Sequence, residues 1–255
     1  MKDLIRNPLD IQGATGRIDP DREPPGILSV HLKRYEFSMR YCKGKKVLDA
    51  ACGVGYGSAH LAQAAAYVKG IDIDPETIAY GQTRYQMENV TFHVMDVTKT
   101  NYADSEFDTI CSFETIEHLP DIPAYLCEMV RVLSPDGVYL VSTPQVRKTN
   151  HHPRNPYHAV EFSRVDFEAL LHQYFVDVEI YGERRKQSEL HYQMTRLLDR
   201  VGLRSRLPRL GRLRDSINKA LQTTTFNAMS LEDMMITQEK VERASELIAV
   251  CKNPK

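Results

Sequence analysis

Two carboxylates and a histidine, Glu114, Glu117 and His118, follow the pattern E-x-x-E-H. A further histidine, His158, belongs to a second polar cluster at residues 150–162. Mixed oxygen and nitrogen ligands of this kind suit magnesium, manganese or zinc. The spacing predicts a divalent metal site formed by these four side chains, and the alternative is a solvated turn that holds no ion.

A glycine-rich turn is the second feature that could do chemistry. An apolar strand at residues 46–51 leads into Gly53, Gly55 and Gly57, and a helical pattern follows. Such a turn lets backbone N–H groups approach a nucleotide-like ligand closely, although it can also serve tight packing alone. Ser58 stands where the strict dinucleotide fingerprint has glycine, which counts against a dehydrogenase.

Acidic residues end the next two predicted strands. Asp72 lies about twenty residues beyond the glycine turn, where a carboxylate can accept both hydroxyls of a ribose. Asp74 precedes Pro75 and is assigned to capping the following helix. Asp96 follows the third strand and could accept a hydrogen bond from an exocyclic amine.

Apolar segments of strand length alternate with helical patterns, which indicates a parallel sheet with crossover helices. We predict strands at residues 46–51, 67–73, 90–95, 107–113, 137–143, 176–181 and 246–251. We predict helices at residues 27–41, 57–66, 75–86, 122–133 and 163–174. About sixty residues separate the last two strands, far more than a turn needs.

In this order the glycine turn and the two acids resemble the class I S-adenosylmethionine-dependent methyltransferases, over roughly residues 30–182 and the last strand. The resemblance implies an α/β, Rossmann-like fold with S-adenosylmethionine as cofactor. We expect a seven-stranded, mostly parallel sheet with helices on both faces. An extra N-terminal helix precedes it, and a helical lid is inserted before the last strand.

The resemblance also assigns residues to parts of the cofactor. It implies that Asp49 and the glycine turn hold the methionine end, that Asp72 holds the ribose, and that Asp96 with its neighbour holds the adenine. The full set of expected cofactor-binding residues is Asp49, Ala51, Gly53, Gly55, Tyr56, Gly57, Asp72, Ile73, Asp96, Val97 and Phe113.

The two polar clusters resemble metal-dependent O-methyltransferases, namely the small-RNA 2′-O-methyltransferases and the ubiquinone-pathway enzymes, which share the first cluster. A wider likeness is to bacterial methyltransferases associated with sugars and glycans, which share the helix at residues 31–35 and the run at residues 155–158. The resemblance implies O-methylation of a small hydroxylated acceptor, a saccharide or glycan precursor, assisted by Mg²⁺ or another divalent ion. The alternatives are an RNA 3′-terminal 2′-O-methyltransferase and a catalytically silent cofactor-binding scaffold.

Methyl transfer to an alcohol needs the hydroxyl proton removed. A divalent metal lowers the pKa of the hydroxyl, and a histidine can accept the proton. His118, His158 and Glu114 are therefore the expected catalytic residues. His151 and His152 are further candidates for the base, and the sequence does not choose between them.

We divide the chain into an N-terminal leader and helix (1–44), a cofactor-binding core (45–182), a helical lid (183–244) and the last core strand (245–255). Residues 182–220 contain eleven Lys or Arg and four Asp or Glu. This excess indicates either an amphipathic lid or homodimer helix with a solvated basic face, or a surface that attracts an anionic acceptor.

The composition excludes several other classes of protein. The chain has 255 residues and a formal net charge of -1, which does not indicate a nucleic-acid-binding surface. Its apolar runs are shorter than a membrane span, and residues 1–10 lack an apolar signal segment, so we expect a cytoplasmic protein. The five cysteines form no C-x-x-C pair, which supports neither a disulfide framework nor a cysteine zinc site.

Overall fold

The computed structural model of the protein describes residues 18, 20, 23–186 and 229–255. Within these residues the chain forms five α-helices and nine strands. The helices are α1 (Pro25–Cys42), α2 (Tyr56–Leu61), α3 (Pro75–Arg84), α4 (Ile122–Val132) and α5 (Arg164–Leu171). The strands are β1 (Lys46–Ala50), β2 (Tyr67–Asp72), β3 (Val90–Val94), β4 (Phe107–Ser112), β5 (Leu133–Val146), β6 (Phe162–Ser163), β7 (Phe175–Arg185), β8 (Met234–Thr237) and β9 (Glu246–Pro254).

The sheet has the strand order β3-β2-β1-β4-β5-β9-β7-β8, and β6 pairs with the end of β5 outside this path. Strands β1 to β5 pair in parallel. Strand β9 runs antiparallel between β5 and β7. The seven predicted strands are all present, but the prediction of seven in total was wrong, because β6 and β8 add two short ones.

Helices cover both faces of the sheet, as predicted. In β1, Val47 packs into a core with residues of α1, α2 and α3, whereas its neighbour Leu48 packs into a core with residues of α4 and α5. Successive side chains of a strand point to opposite faces, so a strand buried on both sides is apolar throughout. This explains why the central strands appear as continuous apolar runs in the sequence.

Polar side chains begin the helices where the sequence indicates. The Asp74 carboxylate accepts a hydrogen bond of 3.0 Å from the Glu76 N–H, and Pro75 takes the first turn of α3. The predicted cap is therefore confirmed. Asp121 caps α4 in the same way, by accepting from the Ala124 N–H at 3.0 Å.

The segment predicted as a helical lid, residues 183–244, is described at its two ends. Its first residues continue β7, and Met234–Thr237 form β8, which pairs antiparallel with β7. Short 3₁₀ turns at Leu231–Asp233 and Val241–Arg243 flank β8. These described ends thus extend the sheet and are not lid helices, while residues 187–228, including most of the basic segment, lie outside the described residues.

No helix in the described ranges combines the length and apolar character needed to span a membrane.

Candidate active site

The glycine turn lies between β1 and α2 and combines positive φ angles with close packing. Gly53 and Gly55 have φ angles of 54° and 89°, which side chains other than glycine rarely adopt. A Cβ at Gly55 would lie 2.6 Å from the Phe92 ring, and one at Gly57 would lie 1.9 Å from the Tyr35 ring. A Cβ at Gly53 would meet no atom within 4 Å. Of the three, Gly53 therefore has the open space that a ligand could enter, and the other two serve packing.

Asp49, at the end of β1, is fully buried beneath this turn. Its carboxylate accepts hydrogen bonds from the Ser58 hydroxyl at 2.6 Å and from the Tyr35 hydroxyl at 3.2 Å. Burial raises the pKa of Asp49 to about 7. Ser58, the departure from the dinucleotide fingerprint, thus ties the turn to β1, and Tyr35 ties α1 to the same carboxylate.

Asp72 connects the glycine turn to the end of β2. One of its oxygens accepts from the Gly53 N–H at 3.1 Å and the other from the Asp74 N–H at 3.0 Å. Its neighbour Ile73 is 65% exposed, although it is a large apolar residue. An acid and an exposed apolar side chain thus lie together at the carboxyl end of the parallel sheet, where ligands of such folds bind.

The remaining expected cofactor residues lie along the same edge of the sheet. Asp96 is exposed, and its Oδ1 accepts from both the Thr98 N–H and the Thr98 hydroxyl at 2.8 Å. Val97 and Phe113 are buried, and Tyr56 is half-buried. Ala51 has a φ of 63°, in the left-handed region.

Three of the four expected metal ligands come together. One ligand atom from each of Glu117, His118 and His158 lies within 4.8 Å of the others. Glu117 is 1% exposed, and neither of its carboxylate oxygens has a hydrogen-bond partner. Burial, and then the nearby Glu114, raises the pKa of Glu117. Because a buried carboxylate without a partner is unfavourable, a cation in this group would satisfy it.

The surrounding loop orients both histidine rings. Nδ1–H of His118 donates to the Tyr157 carbonyl at 2.8 Å, and Nδ1 of His158 lies 3.2 Å from the Glu161 carboxylate. The Ala159 N–H donates to the Glu117 carbonyl at 2.7 Å. With each Nδ1 engaged, the Nε2 atoms are left to bind a metal or accept a proton. Burial lowers the pKa of His118, which favours the neutral imidazole that both roles require.

Glu114 lies outside this group of three. The Ser142 hydroxyl donates to its Oε1 at 2.8 Å and accepts from its N–H at 3.1 Å. The Arg34 guanidinium approaches the same Oε1 to 3.3 Å. In the structure this carboxylate therefore forms an ion pair and does not join the other expected metal ligands. The two further candidate bases, His151 and His152, are exposed.

Sequence reasoning did not assign Arg34, Glu183 or Glu246 to the site. All three lie near Glu114, and burial with the nearby Glu114 raises the pKa of Glu246 to about 9. Arg34 lies in the helical segment at residues 31–35, which carried the likeness to sugar-associated methyltransferases. That likeness was the one signal that could have indicated it, since isolated charges in a helix or strand are usually solvated.

Residues 48–141 match a family model described as a methyltransferase domain. A probable S-adenosylmethionine-dependent methyltransferase of Mycolicibacterium smegmatis is 34% identical over 152 residues, 58% of this chain and 58% of that protein. Phosphoethanolamine N-methyltransferase 1 of Arabidopsis thaliana is 35% identical over 113 residues, 43% of this chain and 23% of that protein. The match thus spans little more than half of the first of these relatives.

The solved structure of the YcgJ protein from Bacillus subtilis shares the fold, with a TM-score of 0.54 at 18% identity, over 89% of this chain and 99% of that one. These comparisons show that residues 48–141 match a methyltransferase domain and that the core is similar to S-adenosylmethionine-dependent methyltransferases.

Proposed function

We propose that the protein transfers the methyl group of S-adenosylmethionine to a hydroxyl of a small saccharide-like acceptor, assisted by a divalent ion such as Mg²⁺. The observation that carries this proposal is the group formed by Glu117, His118 and His158, whose ligand atoms lie within 4.8 Å of one another. The buried, unpartnered Glu117 carboxylate fits a cation, and the two imidazoles fit a site with mixed oxygen and nitrogen ligands.

We assign the cofactor to the half of the sheet formed by β1, β2 and β3. The open space at Gly53 and the buried Asp72 carboxylate support this assignment. S-adenosylmethionine supplies the transferred methyl group when bound. Asp72 would accept from the ribose hydroxyls while it also holds the Gly53 N–H, so that the ribose contact and the shape of the turn depend on one side chain.

We assign the acceptor to the loops that follow β4 and β5. A divalent ion held by the three residues would lower the pKa of the acceptor hydroxyl. The protein's own contribution is to fix the imidazole rings through Tyr157 and Glu161, so that their neutral Nε2 atoms can hold the ion, and the proton of the acidified hydroxyl would pass to solvent water.

A saccharide fits this arrangement because its neighbouring hydroxyls offer two oxygens to one ion. The run at residues 155–158 resembles that of sugar-associated methyltransferases, and it contacts His118 through the Tyr157 carbonyl and the His158 ring. An anionic acceptor and a homodimer through the inserted segment are further proposals, and they rest on the basic composition of residues 182–220.

Release of S-adenosylhomocysteine from purified protein tests the proposal across neutral sugars with adjacent hydroxyls, amino and phosphorylated sugars, phenols, amines and short RNAs. We expect turnover with neutral sugars that chelator abolishes and magnesium or manganese restores. Turnover with amines alone would place the chain with N-methyltransferases such as the Arabidopsis relative. Turnover confined to RNA ends would favour the RNA alternative, and cofactor binding without any turnover would favour the silent scaffold.

A further inference from the structure

Arg34 is a buried arginine that joins three elements of the fold. It lies on α1 and is 1% exposed. Its Nε donates to the Glu183 carboxylate on β7 at 2.6 Å, and its Nη1 lies 3.3 Å from Glu114 Oε1 in the loop after β4. A buried guanidinium is unfavourable unless it is paired and hydrogen-bonded. The hydrogen bond to Glu183 and the ion pair with Glu114 together compensate the burial of Arg34.

Glu114 lies near Glu117 and His118, whereas Arg34 and Glu183 are enclosed. The Glu114 side chain is 21% exposed, while those of Arg34 and Glu183 are essentially buried. Glu114 also has a φ of 51°, in the left-handed region, and Ser142 binds both its N–H and its carboxylate. A residue other than glycine keeps a left-handed backbone only where the surrounding structure holds it there, and such residues are common at functional sites.

Anchoring of α1 alone does not require the contact between Arg34 and Glu114. The helix is also held by the Tyr35 hydroxyl on Asp49 and by the Ser29 hydroxyl, which donates to the Met229 carbonyl at 3.1 Å. The bond to Glu183 already pairs the guanidinium. The second contact of the guanidinium instead reaches the Glu114 carboxylate, whose side chain is 21% exposed and which lies three residues before Glu117.

We propose that Arg34 is a positioning residue for methyl transfer, which fixes the Glu114 carboxylate at the acceptor side of the site. This inference rests on the proposed function. The planar guanidinium donates a hydrogen bond from Nε to Glu183 and thereby holds Nη1 beside Glu114 as an ion pair, an arrangement that the point charge of lysine does not reproduce. Glu114 thereby presents its carboxylate in one orientation to the acceptor hydroxyls.

The test is a cycle of substitutions with steady-state kinetics. Arg34→Met combined with Glu183→Met removes both members of the buried hydrogen-bonded pair, and urea unfolding of this double variant checks that the fold is retained. We expect kcat to fall at least tenfold, with an unchanged Kd for S-adenosylmethionine. In a Glu114→Gln background the same pair of changes should cause no further fall, because Arg34 acts through Glu114.

Two single variants complete the test. Arg34→Lys keeps the buried charge and should fold, yet kcat should remain about tenfold below that of the unaltered protein. Lys33→Met is the matched control, since it breaks the surface pair of Lys33 with Glu36 on the same helix and should leave kcat unchanged.

Full kcat in Arg34→Lys, or an equal fall of kcat with and without Glu114→Gln, would overturn the positioning role. An unaltered protein that methylates no acceptor would instead overturn the proposed function, and the positioning role with it. An active protein whose Arg34 variants retain full kcat would overturn the positioning role alone.

Discussion

The imidazole rings of His118 and His158 meet edge to face with their centroids 4.8 Å apart, although they come from loops that follow different strands. The Tyr157 carbonyl orients the first ring and the Glu161 carboxylate orients the second. Both rings adjoin the buried Glu117 carboxylate. Two loops thus bring two imidazoles and one buried carboxylate together.

The first prediction concerns metal binding by this group. We expect Glu117→Gln and His158→Ala each to lose Mn²⁺ binding and activity, because a three-residue site does not tolerate removal of one ligand. Electron paramagnetic resonance of added Mn²⁺ measures the binding, and S-adenosylhomocysteine release measures the activity. His152→Ala, an exposed histidine of the same region, is the matched control and should change neither.

A mechanism that uses histidine alone makes different forecasts. His118→Ala would then be inactive, while chelator would be harmless and Glu117→Gln tolerated. Full activity of protein shown to be metal-free, in excess chelator, would exclude the metal and leave His118 or His158 as a simple base.

The second prediction concerns Asp72. Asp72→Ala should weaken S-adenosylmethionine binding by about 1.5 to 3 kcal/mol, because it removes a carboxylate expected to bind the ribose and one that holds the Gly53 N–H. Isothermal titration calorimetry measures the change. Asp74→Ala is the control: it should lower the free energy of unfolding by about 1 kcal/mol through loss of the α3 cap, with affinity retained. Unchanged affinity in Asp72→Ala would remove this residue from the site.

The third prediction concerns the contact of Gly57 with Tyr35. Gly57→Ala should lower the free energy of unfolding by about 1 to 3 kcal/mol, because the new Cβ would overlap the Tyr35 ring. In a Tyr35→Leu background the same change should be nearly neutral, since alanine is the better helix former once space exists. Urea unfolding of the four proteins gives the coupling. An equal loss in both backgrounds would show that the glycine is needed for some other reason.

The fourth prediction is a pH dependence of stability that originates from Asp49. Its pKa is near 3.8 in the unfolded chain and about 7 in the fold, where burial raises it. Between these values the folded state holds a proton that the unfolded state has lost. The contribution of Asp49 is therefore fully present below the lower value and is lost as the pH rises to the upper one, by about 1.4 kcal/mol per pH unit.

Asp49→Asn does not titrate and should lack this slope. Urea unfolding at a series of pH values should show the stability of the unaltered protein, relative to the variant, falling from about pH 4.5 to about pH 6.5 and level above about pH 8. Parallel curves for the two proteins would contradict the raised pKa of Asp49.

The parts of the fold that could be predicted are those with a strong local pattern. Strand β9 is buried on both faces from Leu247 to Cys251, so its apolar run is continuous. The Asp74-Pro75 pair marks the start of α3. Strand β8 was missed because its four residues carry too short a pattern, and because it lies within a segment whose composition suggested helices. Two residues of β6 are likewise too few to predict.

The site was predictable only as far as it depends on residues close in sequence. The spacing E-x-x-E-H indicated Glu117 and His118 together, and a second cluster supplied His158. The spacing did not reveal that Glu114 has a left-handed backbone, nor that its side chain contacts Ser142 and Arg34 instead of the other expected metal ligands. The contact of Arg34 with Glu183 joins residues 149 positions apart, and no local pattern reports such a pair.

The position of β9 in the sheet determines the order in which the chain can assemble. Of the described strands, β9 comes latest in the chain, yet it lies between β5 and β7 and pairs with both. A nascent chain can therefore complete β1 to β5 while it is still being synthesised, but β7 and β8 have no place beside β5 until residues 246–254 emerge. The Glu183 carboxylate that pairs with Arg34 is carried by β7, so a translation product truncated before residue 246 would expose the edge of β5 and leave a buried arginine without its partner.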